Sequence, residues 1–401
     1  MFLRSLVGRN RPFVEASVRL HQAGRIPPNA YVIDLDALEA NTRHLTAEAH
    51  RLGLKVYAMS KQLGRAAAAL DAITAGGADG YVAVDMDCAR PIVAGGHKLG
   101  NLGHLVQIAR SETAEAARLS PEYWTIFSRS KAIDASRAVA RQGRTQQVLL
   151  RVWNDGDIFY PGHEGGFNLD ELPAAIEFVD GLDGLHFAGL TTFPALLYDA
   201  ATGKVATTPN VDTLARGVET ARSVLGAGSE IEVNAPGTTS TTVLELLAGV
   251  GATQVEPGHG LTGTTPLHAV EELPEQPAVL YLTEIAHVHQ GVPLCFGGGF
   301  YVDPVFDPYD AQVLLAAGPE DVSSDPVPLD MPNPAGIDYY ARLHPPGNRS
   351  VTEGDTVICA FRVQAFVTRA KVVGISGAAS GSPSVAGVWN VLGEPVPGFG
   401  E

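Results

Sequence analysis

The chain has 401 residues, 45% of them hydrophobic, 18% charged and 7% aromatic, with a formal net charge of −16. That length allows two domains, or one large barrel plus a smaller unit, and the composition excludes a disordered, collagenous or low-complexity chain. The acidic balance argues against a nucleic-acid or anionic-membrane surface, and no apolar run reaches the roughly 20 residues that span a bilayer.

The N-terminal stretch, residues 1–29, is broken by charge and lacks a continuous apolar core, so it reads as a helical extension rather than a signal peptide. Three cysteines, Cys88, Cys295 and Cys359, are widely spaced and odd in number, which fits a reducing cytoplasm. An apolar run, AYVIDLDAL (30–38), comes next and leads through ALEANTRHLTAEAHRLG into a repeating pattern.

Eight short apolar runs then alternate with Ala- and Leu-rich helical stretches. They are 55–61, 80–85, 104–109, 124–129, 147–153, 187–193, 230–235 and 253–258. Runs this apolar are buried on both faces, as in parallel sheets covered by helices. The spacing predicts an α/β fold, an N-terminal (β/α)8 TIM-like barrel over residues 30–267. Beyond it the texture changes to alternating apolar residues, and residues 268–401 read as a mostly β C-terminal domain. Within it, 318–336 reads as a Pro-rich acidic loop and 354–377 as two strands.

Barrel enzymes carry their chemistry at the C-terminal ends of the strands. The first run ends in Lys61, where partial desolvation favours the neutral amine that forms a Schiff base; a solvated lysine just beyond the strand is the plainer reading. The sixth run places Thr192 at the same height. The seventh ends in EVNAPGTTSTT, where Asn234 is followed by Gly237, Thr238 and Thr239 before a helix. Small residues and hydroxyls at a helix N-terminus make a phosphate site, or an ordinary helix cap. The eighth ends in VEPGHGLTGTTP. Gly258, Gly260 and Gly263 form a G-x-G-x-x-G string, but no helix pattern continues from it, so a phosphate-cradling loop with His259 is the better reading than a dinucleotide site. Glu256 stands just before that loop. The pair His287 and His289 shares a strand face and reads as packed or surface histidines, so no metal ligands are assigned.

A lysine ending the first barrel strand, a Gly-Thr loop after the seventh and a Pro-Gly loop after the eighth resemble the alanine-racemase-like fold, fold type III of the pyridoxal 5'-phosphate (PLP) enzymes. The segments SKQLGR and CFGGGFYVDP are similar to its YhfX-type branch. The resemblance implies a PLP-dependent isomerase, an amino-acid racemase acting at Cα. The alternatives are a decarboxylase or D-amino-acid lyase or aldolase of the same fold, or a non-catalytic PLP-binding protein. It implies that Lys61 carries the cofactor. Arg65, Thr192, Asn234, Gly237, Thr238, Thr239, Glu256, Gly258, His259 and Gly260 would surround it. Glu256 stands where racemases have an arginine, which implies a protonated pyridine nitrogen and a stronger electron sink. Phe296 stands where they have a catalytic tyrosine, which leaves Cys295, Tyr301, Tyr339 and Tyr340 as candidates for a second base. A homodimer, with each site completed by the partner's β domain, and a small amino-acid substrate follow from the same resemblance.

Overall fold

The computed structural model describes residues 1–301, 311–322, 325–347 and 349–399. The chain forms two compact units. One comprises Arg43–Ser60 and Gly77–Gly258, the other Met1–Thr42, Lys61–Gly76 and His259–Glu401. The units therefore divide the chain differently from boundaries at 29/30 and 267/268. No helix among the described residues is long and apolar enough to cross a membrane.

The first unit is a closed parallel barrel of eight strands in chain order: Lys55–Met59, Gly80–Ala83, Leu99–Leu102, Tyr123–Ile126, Gln146–Trp153, Leu185–Thr191, Glu232–Asn234 and Gln254–Val255. Val148, Leu149, Leu150 and Val152 are fully buried, as expected of a strand covered on both faces. Two of the helices between the strands start on side-chain caps: Asp85 accepts from the Cys88 N–H, and Ser128 from that of Lys131.

Seven of the eight strands lie where the apolar runs place them. The third does not. The run at 104–109 lies beyond the strand, which is Leu99–Leu102. Its sequence, LGNL, has weak strand propensity because Gly and Asn occupy two of four positions. Packing decides the matter. A Cβ on Gly100 would lie 2.1 Å from Cδ1 of Tyr57, so only glycine lets that ring fill the barrel.

The N-terminal end of the barrel is tied by a polar cluster. Lys55 Nζ donates to Glu232 Oε1 at 2.7 Å, joined by Tyr123 Oη at 2.9 Å; Thr253 and Gln254 donate to Oε2 at 2.6 and 2.8 Å. Burial alone pushes the carboxyl up, but these donors outweigh it and hold Glu232 at about 2. An acid held down by its folded surroundings stabilises the protein above its ordinary range, near 4.5, and loses that contribution as pH falls toward 2. Glu232→Gln is expected to cost about 2–3 kcal/mol at pH 7 and almost nothing at pH 2, measured by urea unfolding at both.

The second unit is built on a nine-stranded sheet. Six of its strands close on one another in an antiparallel circuit: Val292–Phe296, Tyr340–Leu343, Val327–Asp330, Gln312–Ala316, Thr356–Cys359 and Val279–His289. The strand Val327–Asp330 lies inside the stretch read as a loop, where alternating burial of V-P-L-D marks it. The two strands expected in 354–377 are Thr356–Cys359 and Lys371–Ser376. The early run forms Ala30–Asp34, which joins this sheet, antiparallel to Val279–His289 and parallel to Lys371–Ser376. Helices Phe2–Arg9 and Arg11–Gln22 cover one face. Leu6, Phe13, Val14 and Val18 pack there with Leu280, Leu282, Ile358 and Val373.

Candidate active site

Within the barrel unit, Glu256 follows the last strand and is buried. Its Oε1 accepts from Asn101 Nδ2 at 2.8 Å and Asn234 Nδ2 at 3.0 Å. Each amide is oriented by a hydroxyl on its other end: Thr125 Oγ1 donates to Asn101 Oδ1 at 2.8 Å, and Thr191 Oγ1 to Asn234 Oδ1 at 2.7 Å. Both amides must therefore present N–H to Glu256. Oε2 accepts no hydrogen bond, with His104 Nδ1 3.2 Å away. Burial pushes the carboxyl up to about 7, against the two amide donors that pull it down.

Four of these partners were not singled out from sequence: Asn101, Thr125, Thr191 and His104. Read as the start of a strand, His104 belongs at the barrel floor. With the strand at Leu99–Leu102 it lies just past its C-terminal end. Thr192 was the sixth-strand residue expected to surround the cofactor. Its hydroxyl is buried without a partner, and Thr191, which ends the strand and pairs in register with Asn234, joins the network instead.

The loop after the seventh strand packs its glycine tightly. A Cβ on Gly237 would lie 2.5 Å from the Leu196 nitrogen. The Thr238 N–H donates to the Leu196 carbonyl at 3.2 Å and so is not free for a phosphate, contrary to expectation. The N–H groups of Gly237, Thr239 and Ser240 have no acceptor among the described residues. They are the donors this loop offers. The Gly258 N–H is likewise without an acceptor among the described residues.

Within the other unit, Lys61 opens a short 3-10 turn, Lys61–Leu63, and its Nζ lies 4.9 Å from the centre of the Phe366 ring. Arg65 is buried, with its guanidinium 6.0 Å from the same ring and Nη1 donating to the Val391 carbonyl at 2.7 Å. His259 Nε2 bonds the Val363 carbonyl at 2.8 Å, so this nitrogen carries the proton. Burial, helped by the charges of Arg362 and Lys61, pushes His259 well below its usual range and keeps it neutral. Lys61 and Arg362 thus bring positive charge to His259, and Arg65 shares the Phe366 ring with Lys61. Arg362 was not singled out from sequence, because a lone arginine in an alternating strand pattern carries no local signal. Past this loop comes a 3-10 turn, Pro266–Ala269, not the helix a dinucleotide fingerprint needs.

Cys295 is fully buried, and burial pushes its thiol up to about 12. Tyr301, Tyr339 and Tyr340 are exposed. Phe296, Tyr339 and Tyr340 line a cavity of about 350 Å³ with Asn29, Arg369 and Lys371. His287 packs edge-on to Tyr340, ring centres 5.0 Å apart.

These parts suit PLP. In the barrel unit, a buried carboxylate oxygen without a donor matches a pyridinium N–H, and free backbone N–H groups match a phosphate; in the other unit, the cations near His259 suit an anion.

Residues 33–266 match the alanine racemase N-terminal domain, and residues 280–385 the YhfX-like C-terminal domain. The chain is 39% identical over 394 residues to the uncharacterized protein YhfX of Escherichia coli (strain K12), covering 98% of this chain and 99% of that one. Among solved structures it resembles D-threo-3-hydroxyaspartate dehydratase from Delftia sp. HT23 (TM-score 0.65, 17% identity, 91% of this chain and 97% of that one). It also resembles alanine racemase of Clostridium difficile 630 (TM-score 0.62, 15% identity, 91% and 99%). At these identities the structural likeness is one of fold.

Proposed function

Because the chain belongs to the alanine racemase N-terminal domain family, with the C-terminal domain of YhfX-like proteins, we propose that it is a PLP-dependent enzyme acting at Cα of an amino acid. The finer reading is an amino-acid racemase. The observation that carries the proposal is the pair of asparagines holding a buried, half-satisfied carboxylate at Glu256.

When bound, PLP supplies an electron sink for the carbanion at Cα. Glu256 would hold a proton at the pyridine nitrogen through Oε2. The backbone N–H groups of Gly237, Thr239, Ser240, Gly258, His259 and Gly260 would bind the phosphate, with Arg65 adding positive charge. Lys61 would hold the cofactor through its amine and move a proton at Cα. The buried, weakly acidic Cys295 thiol makes a poor second base. The exposed Tyr301, Tyr339 and Tyr340 suit that role better, presented to the site of a second copy in a homodimer. A lyase is the second reading, favoured by Phe296, which carries no acid–base group where racemases have tyrosine.

The test is incubation of PLP-loaded protein with a panel of L- and D-amino acids in D2O. Deuterium at Cα together with appearance of the other enantiomer is the expected result. Consumption without the enantiomer would assign the lyase reading. No exchange with any amino acid would overturn both.

Gly237→Ala forces the loop off Leu196 and misplaces its donors. PLP retained after gel filtration is expected to fall about tenfold or more, the worth of one or two charge-assisted bonds. Circular dichroism should show the barrel intact.

A further inference from the structure

A second buried charge sits in the same layer of the barrel as the Glu256 network. Arg151, near the end of strand Gln146–Trp153, is 1% exposed. It pairs in register with Thr191, which pairs in turn with Asn234, the donor to Glu256. Its guanidinium lies 4.8 Å from the centre of the Phe127 ring and 5.7 Å from that of Phe159. Nη2 donates to the carbonyls of His163 at 2.6 Å and Phe193 at 3.3 Å. The Phe193 ring meets His104 edge-on, 5.6 Å between centres, and His104 stands beside Glu256.

Nε and Nη1 of Arg151 are buried with no acceptor among the described residues. Glu164 is the carboxylate whose charge it feels, and no described carboxylate pairs with it. A guanidinium stays charged, so a buried one with two idle donors is expensive unless an anion completes it. Aromatic faces supply part of the missing stabilisation but accept no conventional hydrogen bond.

We propose that Arg151 is a binding residue for an anionic group of the ligand, the carboxylate of an amino acid, received on Nε and Nη1. Naming the anion as a substrate carboxylate rests on the amino-acid reading above; the existence of an anion subsite does not. Phe159 and His163 belong to the segment after the strand, so the carboxylate reaches the guanidinium with that segment displaced.

The experiment compares melting temperatures of the purified protein in sodium acetate and in sodium chloride at equal ionic strength. Wild-type protein is expected to melt higher in acetate. Arg151→Lys keeps the charge but loses Nε and should bind acetate about tenfold or more weakly. Arg151→Met should show no acetate effect, yet melt in chloride at or above wild type because the idle charge is gone. Equal melting of wild type in the two salts would overturn the proposal, as would an acetate effect undiminished in either variant. Should Arg151→Met not fold, the wild-type and lysine arms decide. Borohydride labelling of Lys61 in the same preparations scores the PLP reading separately, so failure of one is told apart from failure of the other.

Discussion

Lys61→Ala protein is expected to emerge colourless and to lose at least about a thousandfold in turnover, some 4 kcal/mol of barrier. The amine at this position comes two residues after the first barrel strand ends at Met59. It stands over the Phe366 ring, and its charge, with that of Arg362, helps keep His259 neutral. Borohydride reduction of the parent protein should leave the cofactor covalently on the peptide that contains Lys61, and peptide mapping reads this directly. The alanine variant should give no adduct. A reduced adduct on another lysine would overturn the assignment whatever happened to activity.

Glu256→Gln should lower turnover by roughly ten- to a hundredfold while the cofactor stays bound, since each pKa unit lost at the pyridine nitrogen is about 1.4 kcal/mol. The amide keeps the shape, and its oxygen can still accept from Asn101 and Asn234. What it lacks is the charge. The same substitution should have the opposite effect on the stability of cofactor-free protein. Burial raises Glu256 to about 7 from an ordinary 4.5. A raised acid contributes stability that is complete below 4.5 and lost as pH rises through 7. Glutamine, neutral throughout, loses nothing. The variant should therefore match wild type at pH 4 and exceed it at pH 8 by roughly 3 kcal/mol in urea unfolding. A residue whose replacement stabilises the protein and slows it is kept for chemistry. Full activity in Glu256→Gln would end the electron-sink argument.

The strands before Lys61 and Glu256 were readable from short apolar runs: Lys55–Met59 ends two residues before the lysine, and Gln254–Val255 ends one residue before the glutamate. Asn101 and His104 were not readable, because LGNL offers little strand propensity beside the more apolar LVQIA. What sets the strand, Tyr57 filling the space over Gly100, comes from another strand. Choosing between Thr191 and Thr192 needs register to one residue, and spacing does not supply it. Arg151 looked like one polar interruption of an apolar strand. Only the absence of an acceptor for Nε and Nη1 among the described residues distinguishes it, and that is a property of the packed interior. The placement of Ala30–Asp34 in the sheet of the other unit is likewise a long-range choice that local pattern leaves open.

That placement has a consequence for how the protein is made. On the ribosome, Val32 emerges early, but its antiparallel partner Leu280 is synthesised only after the whole barrel. The N-terminal helices and strand must wait, with an open edge and an apolar face, while residues 43–258 are completed. Contacts of such long sequence separation form slowly, and exposed edges invite aggregation. A fragment ending near residue 267 would keep Ala30–Asp34 without either neighbouring strand. It should require chaperone assistance or precipitate, whereas a fragment trimmed also at its beginning should be the more soluble of the two.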